Sequence, residues 1–166
     1  MKKNERSMNT VVAIATATFL CLLVSVVAPS EAIGQDDASA SGSGTALFGN
    51  TIEHIAFSAQ QVAGTAAVGE AMINDVSAGV RVNVDVNCLN VIGNYAIVSG
   101  TVRTSSDEAL VPIGSQAIFA VVDTGQGSAR DFMSIANFYA VGTGVDCSVP
   151  SEFDLVPANG NFRVNA

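Results

Sequence analysis

The sequence predicts an all-β fold: a single antiparallel β-sandwich or barrel of about seven or eight short strands, preceded by a signal peptide and a flexible tether. Three observations carry this. Val80, Val82, Val84 and Val86 alternate with Arg81, Asn83, Asp85 and Asn87, the two-residue side-chain period of a strand with one buried face. Gly- and Asn-containing turn signals interrupt the apolar stretches at short intervals from Thr51 onward. No window shows a sustained helical period of apolar residues with caps.

The first segment has the three-part layout of a secretory signal. Lys2, Lys3 and Arg6 give a basic start, Val11 to Val27 carries no charge, and Ser30-Glu31-Ala32 places small residues at the positions a signal peptidase reads. Cleavage after Ala32 leaves residues 33–166, outside the cytoplasm. The alternative is an uncleaved anchor, the one arrangement that brings the chain to a membrane. Cys21 follows Leu20 and so lacks the small residue that a lipoprotein site requires.

Residues 33–50, rich in Ser, Gly, Ala and Asp, read as a flexible linker, and 51–166 as the all-β domain. In order, the expected strands are "IEHIAFSAQ", "TAAVGEAMIND", the valine row, "YAIVSGTVR", "QAIFAVVD", "DFMSIANF" and "GNFRVNA". Gly93-Asn94 is the two-residue turn of a hairpin that sets Ile92 opposite Tyr95, Val91 opposite Ala96 and Leu89 opposite Val98. The valines have the opposite parity to Leu89 and Val91, so an extra residue near Asn87-Cys88, a β-bulge, is predicted to shift the phase.

Beyond Ala32 there is no lysine, and four arginines face thirteen carboxylates, a balance of −9. That charge removes the main electrostatic term of nucleic-acid binding. Cys88 and Cys147, separated by 59 positions, read as a disulfide outside the cytoplasm.

Few residues offer chemistry. His54 is the single histidine, with no Gly-x-Ser-x-Gly elbow to accompany it, so a Ser-His-Asp hydrolase is not indicated. One histidine and a paired cysteine do not make a zinc site. Glu152 and Asp154 alternate and could share a face as paired carboxylates. Asp123, Gly125 and Asp131 surround a turn. Read as structure, Asp caps it and the glycine permits positive φ; read as function, Asp123 and Asp131 are candidates for a weak calcium loop, without the ligand density of an EF-hand.

"VIGNYAIVSGTV" followed by "FAVVDTGQGSARDFMSI" resembles a loose group of uncharacterised secreted bacterial all-β domains, with Gly93, Asn94, Ala96, Gly100, Asp123, Gly125 and Asp131 in the recurring places and "GNFRV" like the closing strand. The resemblance spans roughly Asn74 to Val164 and implies the fold; Gly93, Asn94 and Gly125 look structural, and it supplies no catalytic residue. The expectation is a secreted or cell-surface, non-catalytic domain that acts by binding to, or structural association with, a protein or cell-envelope component, without nucleic acid. The alternative is an extracellular carboxylate-dependent hydrolase, with or without bound calcium.

Overall fold

The structure, a computed structural model, describes residues 37–125, 130–148 and 152–166. The expected signal segment 1–32 lies outside the described residues. Ten strands occur among them: β1 Ala38–Phe48, β2 Thr51–Gln61, β3 Val68–Asp75, β4 Val80–Ile92, β5 Tyr95–Ser105, β6 Gln116–Val122, β7 Phe132–Ser134, β8 Asn137–Tyr139, β9 Leu155–Pro157 and β10 Asn159–Asn165. All pairings are antiparallel. β1 to β6 form a meander, β7 and β8 both return along β6, β9 pairs with β7, and β10 pairs with β1. Only Ala158 separates β9 on one margin from β10 on the other, so the sheet rolls into a nearly closed barrel.

The expected linker over 33–50 is corrected from Ala38 onward, where β1 begins. Its composition is that of a linker, but its pattern is that of a strand. Ala38, Ala40 and Ala46 are buried, while Ser39, Ser41, Ser43 and Thr45 alternate on the outward side. Small inward residues are required here because a side chain at Gly44 would run into the ring of Phe162 from β10. Phe162 itself packs against Phe57, with ring centroids 6.0 Å apart, and Phe57 meets Phe119 edge-on at 5.2 Å. Three aromatics thus fill the barrel centre, and β1 supplies the space rather than the bulk.

The strand count exceeds seven or eight for two further reasons. The return strand breaks at a bulge: between the pairs Ile118↔Asn137 and Val121↔Met133, two residues of β6 face three, Ser134 to Ala136. The last strand breaks at Ala158, whose N–H donates to the Asp131 carbonyl at 2.8 Å.

The β4–β5 hairpin has the expected register, with Ile92↔Tyr95, Val91↔Ala96 and Leu89↔Val98. Gly93, at φ +62°, takes the first central position, where a type II′ turn needs glycine. The phase shift falls at Val86/Cys88, with Asn87 as the extra residue. A second shift, at Asn83/Val84, leaves Arg103 of β5 unpaired in the ladder.

The first bulge turns Cys88 off the inner face, where the disulfide to Cys147 holds Val145 and Cys147 against the outside of the barrel. Ile97, Ile118, Ala120 and Cys147 form a second, outer core there, flanked by Tyr95, Val145 and Phe153. β6 is therefore buried on both faces, which accounts for its unbroken apolar run "AIFAVV". On the chain-entropy account, a loop of this length gives the disulfide about 4 kcal/mol.

Candidate functional site

The inward row of β2 reads Glu53, Ile55, Phe57, Ala59, so a carboxyl occupies a core position. Glu53 is 2% exposed. The β7–β8 bulge supplies part of the reason: it takes the Ala136 N–H off the ladder, and Glu53 Oε1 accepts that N–H at 2.8 Å. The neighbouring orphan, the Ala120 N–H, is taken by Ser134 Oγ at 2.9 Å.

Glu53 borders a cavity of about 180 Å³. Ile73, Val80, Val82, Val111, Ile135 and Phe138 give it an apolar wall, and Asp75, opposite Glu53 in the β2–β3 register, is the second carboxyl. The loop between β5 and β6 covers one side. Asp107 Oδ1 accepts the Ala109 and Leu110 N–H groups, and the Asp107 carbonyl accepts that of Val111, a turn that sets Leu110 and Val111 over the cavity. Leu110 remains 64% exposed, so the covered side is also the side that meets solvent.

Burial pushes the Glu53 carboxyl from 4.5 up to about 7; the Ala136 N–H pulls it down and the charge of Asp75 adds to the rise. Near neutral pH Glu53 is therefore divided between its two protonation states, and in either state it presents a polar group to an apolar chamber.

The residues singled out in the sequence lie elsewhere. Asp131, buried, accepts the Thr124 N–H and hydroxyl on Oδ1 (2.9 and 3.1 Å) and the Phe162 N–H on Oδ2 (2.6 Å). Asp123 accepts the Gly125 N–H on Oδ1 and the Val164 N–H on Oδ2. Asn94 exchanges two bonds with Asp123: its Nδ2 donates to the Asp123 carbonyl and its own carbonyl accepts the Asp123 N–H. The Gly-Asn turn, the Asp-x-Gly turn and the closing strand are thus one network that fixes β10 where the barrel closes. A cation at Asp123 and Asp131 would compete with these amides for the same oxygens. Among the described residues no three His, Cys, Asp or Glu side chains gather into a metal-holding group.

His54 sits on the outward row, with Nδ1 3.0 Å from Thr45 Oγ1, on the opposite side of β2 from Glu53. Glu152 and Asp154 are exposed and flank Phe153, which turns into the outer core. The polar row of β4 is an outward lattice. Arg103 reaches Asp85 at 3.2 Å and Glu70 at 3.8 Å, Asn83 donates to Thr104, and Asn87 donates to Thr101. A groove of about 360 Å³ runs beside it, past Ala56, Ser58, Glu70, Met72 and Asn83, without a buried polar group at its floor.

No protein-family model, curated protein or solved structure matches this chain.

Proposed function

We propose that this protein is a non-catalytic binding domain of the cell exterior that takes a small molecule into the cavity beside Glu53. The observation that carries the reading is the pairing of an apolar chamber of about 180 Å³ with a buried carboxyl, the composition of a ligand pocket: apolar walls for affinity and a placed polar group for orientation. The Cys88–Cys147 disulfide supports a location outside the cytoplasm. The acidic balance of the sequence favours a neutral or cationic ligand and disfavours nucleic acid. The test is amide chemical-shift mapping while benzene-sized fragments are titrated into the purified protein. Saturable shifts at Val82, Val111 and Ala136 support the reading; shifts scattered over the outer face, or none, overturn it.

A second reading has one observation in its favour. A carboxyl held near 7 beside a second carboxyl is the acid and carboxylate pair of many hydrolases. It requires turnover of an aryl glycoside or ester that is lost in Glu53→Gln, whereas the binding reading requires none.

A further inference from the structure

The cavity also specifies the sign of its ligand. We propose that it takes a small organic amine, an apolar body of roughly benzene size whose ammonium group sits against Glu53 and Asp75. This deepens the binding reading above and rests on it.

Three features converge. The first is size. A chamber of about 180 Å³ is close to the ~150 Å³ of an engineered apolar cavity that takes up benzene, so the body is one ring or a short branched chain. The second is charge. Among the described residues, the charged side chains that line the cavity are Glu53 and Asp75, both acidic. Among the described residues, the elements around them bring no cation to the lining: His54, beside Glu53 on β2, stands on the outward row of that strand. Arg81 stands on the outward row of β4, and Asp107 of the covering loop turns its Oδ1 into its own backbone turn. An anion would therefore meet two carboxylates with nothing to offset them.

The third feature is hydrogen-bond capacity. A carboxylate offers about four acceptor positions, and an ammonium has three donors and no acceptor. Glu53 Oε1 spends one position on the Ala136 N–H, and Asp75 Oδ1 spends one on the Ala78 N–H. Acceptors remain on both residues, at one border of an otherwise apolar chamber. A neutral hydrocarbon would leave them facing carbon; an ammonium matches them in charge and in donor number.

The same geometry couples binding to protons. Glu53 is pushed up to about 7 because it is buried and shares its surroundings with Asp75. An ammonium favours the ionised form, so below neutrality binding must expel a proton and weakens as the pH falls. At pH 5.5 a group titrating near 7 is only about 3% ionised, so the amine is expected to bind roughly 10- to 30-fold more weakly there than at pH 8.

The test uses three matched probes on the purified protein: benzylamine, benzyl alcohol and benzoate, each titrated at pH 8 and pH 5.5 and followed through the Ala136 and Val111 amides. Expected are benzylamine tighter than benzyl alcohol by tenfold or more at pH 8, convergence of the two at pH 5.5, and no saturable binding of benzoate. In Glu53→Gln, whose side-chain oxygen still accepts the Ala136 N–H, the amine preference and its pH dependence should both fall away. Asp75→Asn should reduce the preference without abolishing the pH dependence. Alcohol or benzoate binding as well as the amine at pH 8, or an amine preference undiminished in Glu53→Gln, would overturn the amine assignment and leave the pocket reading standing. No saturable shift from any probe at either pH would overturn both.

Discussion

Glu53→Gln isolates what it costs this fold to keep a carboxyl in its core. The folded protein holds Glu53 at about 7 against an ordinary 4.5, so folding favours the protonated form. The resulting stability is fully present below pH 4.5, is lost as the pH rises through about 7, and changes little above that. At about 1.4 kcal/mol per pH unit, the gap amounts to about 3 kcal/mol. Glutamine has the same shape, keeps an oxygen for the Ala136 N–H and cannot ionise. The two proteins should therefore be nearly equal at pH 4, while at pH 8.5 the variant should be more stable by about 3 kcal/mol. Urea unfolding with the disulfide intact, repeated from pH 4 to 8.5, measures the difference, and contributions from carboxylates distant from Glu53, those other than the neighbouring Asp75, cancel between the two curves. A difference flat with pH to within about 0.5 kcal/mol would mean that water reaches Glu53 freely and that the chamber does not desolvate it.

Three further outcomes follow from the described contacts. Asp131→Ala removes the acceptor of the Phe162 and Thr124 amides and should cost about 3–5 kcal/mol, with hydrogen exchange at Phe162 accelerating before exchange at Val82; equal acceleration at both would refute a local role in closure. Paired Cys88→Ser and Cys147→Ser substitutions should cost about 4 kcal/mol in denaturant unfolding and free the Val145 side chain from the outer core, read as a shift of its methyl resonances, while the β1 and β2 amides keep their exchange protection. Asn83→Ala and Asp85→Ala should each shift stability by no more than about 0.5 kcal/mol, because their partners Thr104 and Arg103 lie on the solvated outer face; a larger loss in either would show that this lattice is cooperative.

What the sequence disclosed depended on whether a residue's neighbours along the chain determined its surroundings. The β4–β5 hairpin is local: a Gly-Asn turn fixes the register, parity fixes the face, and the bulge at Asn87 follows from the mismatch. β1 is the opposite case. Its inward Gly and Ala positions make sense only beside the Phe162 ring, more than a hundred residues away, and without that ring the segment reads as a linker. The break in the return strand was equally hidden, since Ser134 to Ala136 bulge against a partner strand and not against a local turn.

The carboxylates show why the chemistry was harder to see than the fold. Asp123 and Asp131 attract attention because turn signals surround them, yet their oxygens hold the amides of Thr124, Gly125, Phe162 and Val164. Glu152 and Asp154 alternate, but around a phenylalanine that seats itself in the outer core. Glu53 lacks any motif. Its one sequence signal is parity: it shares the inward phase of Ile55, Phe57 and Ala59, so a strand reading of "IEHIAFSAQ" already implies a carboxyl in the core. A buried acid of that kind needs a partner, and the bulge offers only one amide. In a barrel whose other conspicuous acids serve backbone closure or face solvent, a core carboxyl with acceptors to spare is the side chain whose surroundings ask for a ligand, and a cation is the ligand they suit.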